Sequence, residues 1–204
     1  MITNIVMDMA TKRKKSEIRR EEALSLAMKI IHEEGIHSLT LRRVAEGLEI
    51  SEAALFRHFK DKEEMINLLA TKVFDHYIVR ESNGYEDVEA GLLKIMINQF
   101  SSFQGTPEAT SVLFQEEIFR EYPAVKARFD ERRHQRADRI ARMVRDAKAK
   151  HRVAKAVDPD TFALIYMGAM RAAVLEWRSE GCTSDLVSKA DALHSHLIRI
   201  LREG

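Results

Sequence analysis

Thr40, Arg42, Arg43, Ser51, Arg57, His58 and Lys62 carry the chemistry of a phosphate contact. Thr40 and Ser51 are of the hydroxyl type that opens helices. A helix that opens there points backbone N–H groups at an anion. Arg42 and Arg43 would then sit in the first turn of one helix, within reach of a nucleic-acid backbone, and either can also reach a base. Arg57, His58 and Lys62 read as further phosphate clamps; His58 has a structural alternative, bonding the local backbone. Between the two groups lie Glu52, Ala53 and Ala54. A glutamate can accept from cytosine N4, and an alanine methyl can meet a thymine methyl. Glu52 has a plainer role as well, stabilising the start of its own helix. Cations flanking a short reader match a duplex DNA interface, where phosphate contacts position and base contacts specify.

These groups need elements that hold them. Leu41, Val44, Ala45 and Leu48 fall on one face of a short helix, and Ala54, Leu55 and Phe59 on one face of a second. Glu49 and Ile50 lie in the tight turn between them. Two short helices so joined form a helix-turn-helix, whose second helix enters the major groove. The unit over residues 40–59 has too little apolar surface to stand alone, so a larger body must carry it.

The chain has 204 residues, enough for one large or two small domains, and 45% of them are hydrophobic, which is ample for a core. Net charge is only +1, so attraction to DNA must come from a local patch rather than from the whole molecule. The single cysteine, Cys182, excludes an internal disulfide framework and fits a reducing compartment. No apolar run approaches the roughly 20 residues of a membrane helix. The N-terminus lacks a secretory apolar segment. A cytoplasmic location without membrane attachment is expected.

No stretch alternates with period two, and the 8 glycines and 3 prolines fall mostly between periodic segments, so the fold class is all-α. Residues 1–15 read as a mobile arm ending in Lys12–Lys15, which can enter the minor groove or neutralise phosphates. Residues 16–62 read as the DNA-binding domain, 63–80 as a connecting helix, and 81–204 as a helical bundle, with a break at Ser82–Gly84. About nine helices are expected. The first ends at Gly35; Asp61 caps the connecting helix; Pro123 opens a long helix to about Lys150, its charged middle facing solvent; Asp158–Pro159 opens the next; and the last begins near Ser184.

The run from Thr40 through Val44–Ala45 and Ile50-Ser51-Glu52-Ala53-Ala54-Leu55-Phe56-Arg57-His58-Phe59 to Lys62 resembles the N-terminal domain of the TetR family of transcriptional regulators. The likeness covers about residues 16–75. The chain departs from the family pattern twice. Glu49 stands where the turn glycine is usual; if that position needs positive φ, it carries about 1 kcal/mol of strain. Phe56 stands where a tyrosine usually offers its hydroxyl to a phosphate. The resemblance implies an N-terminal three-helix DNA-binding domain on a C-terminal helical bundle for ligand binding and dimerisation. It also implies a double-stranded DNA operator as partner.

A single recognition helix reads few base pairs, so two heads about 34 Å apart on DNA are expected, held by a homodimer. The last two helices suit that role. Leu164, Gly168, Ala172 and Leu175 form one apolar stripe, and Leu186, Ala190, Leu193 and Leu197 another. The helix from Pro159 is apolar nearly all round, which implies two packing partners. An effector pocket is read from Met96, Phe100, Phe103 and Phe114, with Tyr166, Met170 and Trp177 opposite. Such adaptable and aromatic side chains line apolar cavities and also build ordinary cores. Glu116 and Glu117 interrupt apolar neighbours; one of them, Glu117 in this reading, can point inward to orient a ligand, although exposure is the commoner fate of such a carboxylate.

No nucleotide-binding glycine loop, nucleophile elbow or zinc-protease motif occurs, and His194 and His196 point to different helix faces. No enzyme, cofactor or metal is expected. The reading is a homodimeric regulator, a repressor released from a palindromic operator by a small, largely apolar ligand. The alternative is an architectural, nucleoid-associated DNA binder of the same fold without a small-molecule switch.

Overall fold

The computed structural model describes residues 2–77 and 87–203, with side chains for 17–75 and 87–203. Among these residues the chain is all-α. The helices are α1 (Ile2–Glu34), α2 (Leu41–Gly47), α3 (Glu52–Leu55), α4 (Lys62–Tyr77), α5 (Val88–Gly105), α6 (Glu108–Leu113), α7 (Glu116–Glu121), α8 (Pro123–Ala149), α9 (Pro159–Ser179) and α10 (Lys189–Glu203), with a 3-10 turn at Ile36–Ser38. No described helix is long and apolar enough to cross a membrane.

Four boundaries differ from the sequence reading, the first being that of the second short helix, expected to run through Phe59 and ending at Leu55. Residues 2–15, read as a mobile arm, continue α1. They contain neither glycine nor proline, so nothing in them stops a helix. The single helix expected after Pro107 is two, α6 and α7, because Gln115 turns extended at φ −96°, ψ 108°. The last helix begins at Lys189 rather than near Ser184; Asp185 Oδ1 accepts from Ser188 N at 3.2 Å and holds a turn there. The expected break at Ser82–Gly84, the end of the connecting helix near Arg80 and the side chains of Lys12–Lys15 lie outside the described residues.

The chain divides into two compact units. The first comprises Met1–Val73 and Glu108–Lys126, the second Phe74–Pro107 and Ala127–Gly204, so the division falls inside α4 and inside α8. In the first unit Ala23, Ala27, Ile30 and Ile31 of α1 are buried, as are Val44, Leu55, Phe59, Met65 and Leu69, and α1 packs on α2 and on the 3-10 turn. It also packs on α6, where His32 Nδ1 meets Ser111 Oγ at 2.8 Å. In the second unit, α5 packs along α10. Phe100, Phe162, Tyr166 and Trp177 are all at most 1% exposed there. Each such side chain contributes about 1.5–3 kcal/mol of burial. The two polar handles are satisfied internally: Tyr166 OH donates to Leu92 O at 2.6 Å, and Trp177 Nε1 to Ser184 O at 2.8 Å.

Three helices stop by one device. In α2, Glu49 N donates to Glu46 O and Ile50 N to Ala45 O. The same pair of bonds ends α8 at His151 and Arg152, and α9 at Gly181 and Cys182. This closure places the residue after the cap in the left-handed region. Gly181 takes it at φ 74° without a side-chain penalty; Glu49 and His151 take it at 55° and 57°.

Candidate nucleic-acid interface

The site grows from two helix starts in the first unit. Thr40 caps α2, its side chain accepting from Arg43 N at 3.0 Å. Ser51 caps α3 in the same way, accepting from Ala54 N at 3.2 Å. Each cap satisfies one of the orphan donors of its first turn. The turn between them is the α2 closure. Its φ of 55° at Glu49 is the strained position that the missing glycine implies.

Three further contacts hold this turn in place. Gly47 lies so close to α1 that a Cβ there would stand 2.6 Å from Leu26 Cδ2, which lets α2 approach closely. Phe59, 1% exposed, closes the far end of the motif, with the Arg20 guanidinium 5.4 Å above its ring. Arg20 Nη2 also reaches Glu64 Oε1 at 3.1 Å. Glu64 in turn accepts from Lys60 N, while its own N–H donates to Asp61 Oδ1 at 2.8 Å. The Asp61 cap read from sequence is therefore one part of a polar knot that ties α1 to the start of α4.

The candidate DNA contacts are distributed unevenly. Arg42, Arg43, Glu52, Ala53, Phe56 and Arg57 are exposed, and Ala54 and His58 half-buried. Arg42 pairs with Glu46 at 2.9 Å and Arg43 with Glu34 at 2.8 Å. These hydrogen bonds raise both guanidinium pKa values further. A phosphate bound there would compete with those carboxylates, a contest that exposed pairs resist weakly. Lys62 is placed differently from the sequence reading. Its ammonium donates to Ile36 O at 3.2 Å and is half-buried, so it braces the 3-10 turn. Sequence reasoning missed Arg20 and Glu64, whose partners lie 44 residues apart in the chain.

Residues 23–69, which hold this geometry, match the family model for bacterial regulatory proteins of the tetR family. Over those residues the chain carries a DNA-binding domain of the TetR type. A curated relative, the HTH-type transcriptional repressor KstR2 of Mycobacterium tuberculosis, is 30% identical over 104 residues, covering 50% of this chain and 52% of that protein. The chain thus spans about half the length of that relative. Among solved structures it is similar to PfmR, a TetR-family transcriptional regulator from Thermus thermophilus, with a TM-score of 0.75 at 18% identity, covering 88% of this chain and 98% of that one. It is also similar to the transcriptional regulator FadR from Bacillus subtilis in complex with stearoyl-CoA, at TM-score 0.69 and 15% identity, covering 89% and 99%. Together they extend the likeness in fold over most of the chain.

Phe56 is the departure with the clearest readout in this TetR domain. Its ring is 49% exposed, so a hydroxyl added to it meets solvent or phosphate, not core. Phe56→Tyr is expected to tighten DNA binding by roughly 2- to 10-fold, the worth of one added hydrogen bond. Folding stability should stay within about 0.5 kcal/mol. Fluorescence anisotropy on a duplex that the wild-type protein selects from a random pool would measure the first, and urea unfolding the second.

The other residues read from sequence fall in different places. Met96, Phe100, Phe103, Tyr166, Met170 and Trp177 are buried in the second unit, whereas Phe114 and Glu117 are half-buried and belong to the first. On α9, Leu164 is 66% and Leu175 40% exposed, and Gly168 and Ala172 are exposed beside them. On α10 the expectation needs correcting. Leu186 lies ahead of that helix, and it, Ala190 and Leu197 are at most 4% exposed and Leu193 is half-buried, because these residues face their own unit. The outward apolar residue of α10 is Ile200, 38% exposed.

Proposed function

We propose that the chain is a homodimeric DNA-binding transcriptional regulator, a repressor that a small, largely apolar ligand releases from a palindromic operator. The observation that carries DNA binding is the paired capping at Thr40 and Ser51, flanked by exposed Arg42, Arg43 and Arg57. Dimerisation is supported by α9, whose Leu164, Ile165, Gly168, Ala172 and Leu175 leave an apolar stripe in water. An isologous contact along such a stripe buries the same residues of both copies. The ligand reading draws on the aromatic and methionine content of the second unit, and on the stearoyl-CoA held by the FadR neighbour. Residues 81–204 would then form the ligand and dimer domain, with α4 passing movement to the reading head. A ligand acts so only if it binds the two arrangements with different affinity.

The test is a double substitution, Arg42→Ala with Arg57→Ala. Lys62 is left alone because its bond to Ile36 is structural. Affinity for the selected duplex should fall, and the slope of log affinity against log salt should shrink by about 0.9 for each phosphate no longer neutralised. Unchanged affinity and slope would remove DNA as the partner.

A further inference from the structure

The charged middle of α8, expected to face solvent, turns one residue inward. Arg136 Nη1 donates to Gln99 Oε1 on α5, within the second unit. Gln99 is 5% exposed, and its Nε2 is shielded from water with no hydrogen-bond partner among the described residues. Rotating the amide by half a turn brings no relief. A guanidinium carries donors only, so the oxygen must face Arg136 and the NH2 group must face away. Its flanking residues on the same face of α5 are Met96, Phe100 and Phe103, all at most 4% exposed. None of these three side chains can accept a strong hydrogen bond.

A buried amide N–H left unsatisfied costs about 1–3 kcal/mol, and native proteins keep few of them. An oxygen acceptor that arrives from outside the chain removes that penalty. The adjoining guanidinium favours an acceptor with negative charge, and the low-dielectric surroundings amplify the preference. We propose that Gln99, set in orientation by Arg136, anchors the carboxylate of an acidic effector whose apolar body lies among the α5 side chains. This deepens the ligand-released reading above and rests on it. Gln99 touches the ligand; Arg136 positions the amide and supplies the favourable field.

The experiment uses the full chain with dodecanoate and dodecanol, which differ only at the head group. Trp177 is the sole tryptophan and fully buried, so its fluorescence reports binding in the second unit directly. Dodecanoate should raise the melting temperature, quench or shift that emission, and release the selected duplex, with dodecanol much weaker in all three. Gln99→Glu replaces the donor with a carboxylate that pairs with Arg136, so the unliganded protein should melt no lower. Gln99→Met removes the donor without adding charge. Both should weaken dodecanoate by roughly 10- to 100-fold and leave dodecanol nearly unchanged. Equal binding of acid and alcohol, or a Gln99→Met variant that still prefers the acid, would overturn the anchor. DNA release by dodecanol in that case would leave the ligand-released regulator standing. If neither probe binds, the anchor is overturned, and duplex binding by the same preparation shows separately whether the DNA reading survives.

Discussion

Gly168→Arg should yield a well-folded monomer whose DNA affinity is at least about 100-fold weaker, because two linked heads gain that much or more over one. A Cβ built at Gly168 meets no atom within 4 Å, so the isolated chain has room for the side chain. Replacing a helical glycine also favours α9 by up to about 1 kcal/mol. Folding therefore gains slightly. Across a symmetric interface the outcome reverses. Two guanidinium groups would face each other near the axis, where the exposed Leu164, Ala172 and Leu175 would otherwise meet apolar surface of the second copy. Sedimentation or light scattering reads the mass, and anisotropy the affinity. A dimer with full affinity would show that α9 is not the contact. A monomer with full affinity would show that one head suffices.

Phe59→Ala should have the largest effect on stability. The ring is 1% exposed and sits beneath Arg20, so truncation removes core packing and the cation–ring contact together. Such changes cost about 3–5 kcal/mol. The first unit would loosen where the end of the helix-turn-helix meets α4, through the Arg20–Glu64–Lys60 bonds. DNA binding should fail although Phe59 faces no solvent. Phe59→Leu keeps most of the volume and should cost only about 1–1.5 kcal/mol with binding retained. Hydrogen exchange localised to residues 20–70 separates these outcomes. Equal destabilisation in both variants would mean that volume at this position does not govern the head.

Much of this architecture can be read from residue order, and the reasons are local. Thr40, Ser51, Asp61 and Asp158 each cap the helix that their side-chain chemistry announces. Glu49 stands out as a strained turn because one missing glycine is visible without coordinates. What stays hidden depends on separation along the chain. Arg136 lies among eight other mostly charged residues at 131–139, and only its partner 37 positions away shows that it points inward. The α10 stripe illustrates a second limit. Periodicity shows that Ala190 and Leu197 share a face, but it cannot say whether that face meets its own unit or another copy. The end of α8 at His151 illustrates a third, since no glycine marks that left-handed residue.

The brevity of α3 bears on how selective the protein can be. Its outward residues, Glu52 and Ala53, present one acceptor and one methyl group, with no donor between them. Guanines, which are read mainly by donors, have no partner on that helix. Discrimination by α3 would then draw on methyl packing and on a single cytosine amino group, with Arg42 or Arg43 the donors left for a guanine and the bending of the tract beneath the flanking cations adding to them. A reading head with so small a vocabulary would tolerate many spellings of its target, and a genome would then offer it a family of graded addresses rather than one.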